Sequence, residues 1–267
     1  MKKLHIISSE RSERRNINEI TTSHSLIAPR NDKFYAFTLA EVLITLGIIG
    51  VVAALTLPSV INKFRAKALE TAFKKSYSNV SNAILKTKIE LNSDNLYKDF
   101  VDYDINRGGY YLAPTLIKEF LNQLGFKNEY KGNYNLKNYN NTAICNVSSL
   151  GWCPRPSYIL KDGTSVSIGV TSMLIFIGVD INGPYKGPNR YGHDIFNFTV
   201  NNKVDLLKQS KLYTEEELER QPYPFKAGNP CSVRSNQEAN GVGCAWYAFN
   251  NINPDDETKT YWDNLPK

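Results

Sequence analysis

Histidine is nearly missing from this chain of 267 residues: His5 and His24 lie in the first 36, and His193 alone comes later. No GxSxG, HExxH, P-loop or paired CxxC pattern occurs, so the usual nucleophilic, zinc and phosphate-binding chemistries have no foothold. A lone histidine such as His193 is more often structural than catalytic, and the expectation is a protein that is not an enzyme. Long cation runs are missing too. Residues 1–36 carry seven Lys/Arg against four Asp/Glu, and residues 37–267 carry 25 against 22, for a net charge of +6. Without a block of like charge, nucleic acid is not an expected partner. Cysteine is absent before Cys145.

What is present is a stretch almost free of charge, Phe37–Leu57, whose single ionisable side chain is Glu41. At about 1.5 Å per helical residue it reaches roughly 31 Å, the thickness of a bilayer core. A carboxylate inside hydrocarbon costs on the order of a few kcal/mol, so Glu41 needs a partner. Residues 1–36 are polar, mixed in charge and without hydrophobic period, and are expected to be disordered or excised. They do not form a secretory signal: the apolar run exceeds the usual 7–15 residues and no A-x-A site follows it.

Ala36 through Leu46, AFTLAEVLITL, resembles the type III signal of type IV prepilins and type II secretion pseudopilins: a small residue, then Phe-Thr-Leu-x-Glu and an apolar helix. Ala36 stands where Gly is usual, and a leader of 36 residues is long for the family. The resemblance implies cleavage between Ala36 and Phe37 by prepilin peptidase, methylation of the new Phe37 amine, and a role for Glu41 in assembly. It also implies a helix-bending proline, Pro58, and a fibre whose core is this helix. The implied partners are prepilin peptidase, other pilin or pseudopilin subunits, an inner-membrane assembly platform and membrane lipid. Cleavage would create an amine four residues from Glu41, one helical turn away. Gly47, Gly50, Ala53 and Ala54 thin the helix and favour close helix–helix approach.

The expected organisation is a cytoplasmic leader, 1–36; a membrane and fibre-core helix, 37–57; its amphipathic continuation, 58–92; and a periplasmic globular domain, 93–267. Positive-inside counting runs the other way, with Arg30 and Lys33 before the span but Lys63, Arg65, Lys67, Lys74 and Lys75 after it. The cleavage signal and the cysteines outweigh it. The fold class expected is α+β and pilin-like: one helix from about Thr38 to Leu91, bent near Pro58, on an antiparallel meander of about four strands. Helical spacing after Ser59 marks Ile61, Phe64, Ala68, Ala72, Phe73, Val80, Ala83, Ile84 and Ile89 as the packing face. Residues 92–156 read as loop with one helix within Tyr111–Leu124. Ser157–Leu160 and Thr164–Gly169 flank a Lys161-Asp162-Gly163 turn as a hairpin. Met173–Asp180 reads as a central strand and Ile195–Val200 as a strand with Phe196, Phe198 and Val200 on one face. Thr214–Arg220 is a short helical candidate with capping-box spacing.

Cys145, Cys153, Cys231 and Cys244 suggest two disulfides in an oxidising compartment. Neighbour pairing, Cys145–Cys153 and Cys231–Cys244, is preferred among the three connectivities. The loop Asp180–Asp194, DINGPYKGPNRYGHD, offers Asp180, Asn182 and Asp194 as oxygen ligands for a hard cation such as calcium. It resembles, loosely, the acidic calcium loop of major pseudopilins; the other reading is an Asn-Gly turn stiffened by Pro184 and Pro188. The expected function is a structural pilin-like subunit of a type II secretion pseudopilus or type IV pilus. The alternative is a membrane-anchored periplasmic binding or adhesin protein that does not polymerise.

Overall fold

A computed structural model describes residues 37–106, 108–132, 135–142, 157–201, 203, 205–211, 216, 230–237 and 239–266. Cys145, Cys153, Ala36 and nearly all of Thr214–Arg220 lie outside these. One helix, α1, runs from Leu39 to Glu90 without interruption, with Pro58 inside it. The proline ring removes the amide that would bond the Ala54 carbonyl. Asn92, at a left-handed φ of 47°, ends the helix, and the Ser93 amide bonds back to the Lys88 carbonyl at 2.9 Å. The chain divides into two units between Val51 and Val52. Among the described residues, the first unit is helix from Leu39 onward, with every side chain exposed.

In the second unit the buried face of α1 is a regular stripe. Ala66, Phe73, Ser76, Val80, Ala83, Ile84 and Thr87 are buried, with Leu69 partly so. The steps 66, 69, 73, 76, 80, 83, 87 alternate three and four, the spacing of one helix face. This corrects the face expected from apolar residues alone: Ile61, Phe64, Ala68 and Ile89 are exposed. Ser76 and Thr87 occupy the stripe and hide its period.

Residues 92–156 are less loop-like than expected. They hold α2 (Leu96–Phe100), a hairpin of β1 (Val101–Asp104) and β2 (Gly109–Leu112), α3 (Pro114–Gln123) and β3 (Phe126–Glu129). α3 is the helix expected within Tyr111–Leu124; the other elements are too short to show a hydrophobic period. Asn95 caps α2 by accepting the Lys98 amide at 3.0 Å, and Pro114 opens α3, where its missing amide costs nothing.

The main sheet has six antiparallel strands in sequence order, not about four: β3, β4 (Tyr158–Leu160), β5 (Ser165–Val170), β6 (Leu174–Asp180), β7 (Ile195–Asn201) and β8 (Leu207–Gln209). Its register stacks Val166, Val179 and Phe196 in one cross-strand row, Ile168, Ile177 and Phe198 in the next, and Val170, Ile175 and Val200 in a third. Residues directly opposite one another share a face, so these nine form the floor on which α1 rests. Phe73 sits on it, its ring centroid 4.5 Å from that of Phe196 and 5.5 Å from that of Trp262. Ile195 alternates to the reverse face and joins Leu136, Tyr191, Ala239 and Val242 in a second cluster. Gly178 and Asp180 are therefore covered from both sides, as expected for a central strand. The last elements are α4 (Cys244–Asn250) and a 3-10 turn at Trp262–Asn264. Cys231 and Cys244 form a disulfide with a Cα–Cα distance of 5.1 Å, as the neighbour pairing predicts.

Candidate functional site

Phe37 is exposed, and α1 begins two residues after it. Thr38 and Glu41 close this end reciprocally. The Thr38 amide and hydroxyl donate to Glu41 Oε2 at 2.8 and 2.9 Å, and the Glu41 amide donates to Thr38 Oγ1 at 3.2 Å. This is a capping box: the first turn of a helix has unpaired amides, and Thr-x-x-Glu satisfies two of them. The spacing is readable in FTLAE, where Thr38 otherwise serves only as part of the resemblance. Glu41 thus holds its carboxylate one residue from the Phe37 nitrogen. Beyond it, α1 is the one described helix long and apolar enough to cross a membrane. A Cβ on Gly47 or Gly50 would meet nothing within 4 Å, so nothing among the described residues requires glycine there.

The loop between β6 and β7 brings Asp180, Asn182 and Asp194 together, in a brace. Asp180 Oδ1 accepts the amides of Asn182 at 3.1 Å and Gly183 at 2.8 Å. Asp194 Oδ1 accepts the Arg190 amide at 2.7 Å. Asp194 Oδ2 accepts the Asn189 amide at 2.9 Å and Asn182 Nδ2 at 3.3 Å. A side chain on Gly183 would overlap the Gly163 carbonyl oxygen, so the loop lies hard against the β4–β5 turn. Calcium takes six to eight oxygen ligands. Here the carboxylates are engaged by backbone amides, Asn182 turns its NH2 toward Asp194, and no group of three His, Cys, Asp or Glu among the described residues could hold a metal. In this structure the three residues serve the loop's own hydrogen bonds. Asn182 Oδ1 and Asn189 Oδ1 are buried without a partner, at a cost of about 1–3 kcal/mol each that nothing in the structure explains.

The same loop anchors distant chain. Arg190 is buried and spends its guanidinium on carbonyls: Nε donates to Tyr139 at 3.0 Å, Nη2 to the same oxygen, and Nη1 to Pro266 at 3.1 Å. His193 packs beside them, its ring centroid 6.3 Å from that of Tyr139 and its Nε2 buried without a partner. Tyr261 donates its hydroxyl to the Gly192 carbonyl at 2.6 Å. Gly192 has a φ of 74°, and a Cβ placed on it would lie 2.8 Å from Cys244 Sγ, leaving no room for a side chain. Burial, followed by the nearby Arg190 charge, drives the His193 imidazole down to about 3, so it is neutral at pH 7. Burial raises Asp194 to about 6, against the pull of its hydrogen bonds to the amides of Arg190 and Asn189 and to the Asn182 side chain. Tyr139, Tyr191 and Tyr261 are all raised by burial. Tyr139, Tyr261 and Pro266 escape sequence reasoning, because no local signal ties them to residue 190.

Compared with known protein families, with curated proteins and with solved structures, the chain matches none.

Proposed function

We propose that this chain is a pilin-like subunit, made as a precursor, anchored by a single pass in the inner membrane with its carboxyl-terminal domain in the periplasm. Prepilin peptidase removes residues 1–36, the Phe37 amine is methylated, and the assembly platform draws the subunit into a pseudopilus or type IV pilus. The observation that carries this reading is one uninterrupted helix that starts at Leu39, within the FTLAE motif, stays apolar and almost wholly exposed through Leu57, and from Ala66 onward packs on an antiparallel sheet.

Two details support it. The capping box holds the Glu41 carboxylate beside the place where cleavage would create an amine. Within one chain Glu41 serves Thr38; in a fibre its free oxygen, Oε1, is available to the amine of a neighbour. Gly47 and Gly50 each cost a helix about 1 kcal/mol relative to alanine and relieve no crowding inside the subunit. Close packing between helices of different copies accounts for them.

Mass spectrometry of the protein extracted from membranes tests the reading. The expected amino terminus is Phe37 with one added methyl group; an intact leader in cells that possess the peptidase overturns it. Glu41→Ala is expected to insert in the membrane and fail to enter filaments. Normal filament incorporation of that variant would remove the charge-pairing role.

A further inference from the structure

Between the end of the apolar run at Leu57 and the first buried residue, Ala66, lies a piece of α1 that the domain does not cover. It is not polar. Val60, Ile61 and Phe64 are exposed, Phe64 to 72 %. At about 100° per residue, Val60, Phe64, Ala68 and Ile61 fall in one arc of roughly 100°. Ala66, Leu69, Phe73, Ser76 and Val80, which pack on the sheet, centre roughly 150° away on the same helix. The segment therefore carries an apolar face pointing away from its own core.

That face has a definite end. Along the same arc Thr71, Lys75, Ser78 and Asn79 follow Ala68. Cations flank it: Lys63 on one side and Arg65 on the other, both exposed and neither ion-paired among the described residues. Lys67 and Lys74 are held by Glu70 at 3.0 and 2.6 Å, and Lys75 by Asp162 at 3.0 Å. The large apolar side chains of the arc, Val60, Ile61 and Phe64, span only about 6 Å of helix, and with unpaired cations at their borders they match a layer of fixed depth. A groove for a partner helix would run on.

The depth agrees. The interfacial layer on each side of a bilayer is roughly 5–8 Å thick. Phe64 lies about 10 Å of helix beyond Leu57, less when the helix tilts, and helical side chains point back toward the amino terminus. Its ring then reaches the layer where amphipathic and aromatic side chains settle, while Lys63 and Arg65 snorkel among headgroups.

We propose that Val60–Ala68 is a membrane-interface collar: Val60, Ile61 and Phe64 seat at the acyl–headgroup boundary, and Lys63 and Arg65 bind anionic phospholipid headgroups. The collar sets the depth at which the subunit waits in the membrane. It rests on Phe37–Leu57 spanning a bilayer and not on fibre formation.

The test uses the full chain in phosphatidylcholine/phosphatidylglycerol vesicles with brominated acyl chains, reading tryptophan emission as the difference from the parent protein. Ile48→Trp reports the span and Phe64→Trp the collar. The expected result is quenching at both, with the Phe64→Trp signal reduced several-fold by adding Lys63→Glu and Arg65→Glu, or by omitting phosphatidylglycerol. Quenching at Ile48→Trp with a water-exposed indole at Phe64→Trp overturns the collar and leaves the span intact. Loss of both signals removes the span as well. Quenching at Phe64→Trp that ignores both charge reversal and lipid charge overturns headgroup binding. A Phe64→Trp signal that shifts only with subunit concentration, without bromine quenching, gives the face to a second copy of this chain.

Discussion

The two ends of α1 obey different physics. From Leu39 to Leu57 the helix is held by its own backbone bonds and by the Thr38–Glu41 cap, with its apolar side chains uncovered. From Ala66 to Thr87 it is held by a stripe against nine sheet residues. In the first region hydrophobicity runs all round, as lipid or a ring of neighbouring helices requires; in the second it is confined to one face and interrupted by Ser76 and Thr87. A single helix can thus be written in two hydrophobic codes when its surroundings change along its length.

Truncation should expose the difference most sharply. Phe73→Ala removes a fully buried ring that meets Phe196, Phe198 and Trp262 and is expected to cost about 3–5 kcal/mol. Ile48→Ala, on an exposed position, is expected to leave the domain's urea midpoint where it was. Equal effects from the two in detergent solution would erase the distinction.

Acid should break the sheet-bound region and spare the capped one. His193, held near 3 when folded against about 6.5 unfolded, contributes stability that is complete above pH 6.5 and lost as pH falls toward 3, on the order of a few kcal/mol. Asp194 acts oppositely. Its folded value of about 6 exceeds the unfolded 3.8, so its charge burdens the fold above pH 6 and the burden lifts as pH falls toward 4. Urea midpoints across pH 3.5–7.5 are expected to fall steeply on the acid side, and His193→Gln to flatten that fall. Asp194→Asn should make it steeper between pH 6 and 4.

A smaller effect sits at the other end of the helix. Thr38→Ala removes one side of the capping box and is expected to cost the first turn about 1 kcal/mol, read as faster amide exchange at residues 39–42 with no change in the domain's melting. Smallest of all is the expected response to calcium. Because Asp180 and Asp194 are engaged by backbone amides, millimolar calcium should leave the melting temperature unchanged. A rise growing with ion concentration would reveal a site by mass action.

Strands with strong periods are legible in the sequence: Leu174–Asp180 and Ile195–Asn201 stand within a residue of where their side chains place them. Phe126–Glu129 is not. FKNE has no alternation, and all four residues are exposed; only pairing with Tyr158–Leu160 makes it a strand. Leu207–Gln209 is likewise an edge made by Phe198–Val200. At the amino terminus the cap is written plainly in Thr-x-x-Glu. In the β6–β7 loop the oxygen-bearing residues are visible, but their hydrogen-bond partners are not, because backbone amides point at a carboxylate only once the turn has closed.

Local repetition is what a linear chain states outright. The length and apolarity of Phe37–Leu57, the helix running through Pro58 to Glu90 and the alternation of β7 all follow from neighbours within a few residues. The inward face of α1, the burial that neutralises His193, and the fastening of Pro266 by Arg190 depend on residues dozens of positions apart. Each is a matter of which groups lose water together, and that is settled only when the sheet, the helix and the carboxyl-terminal strap close on one another.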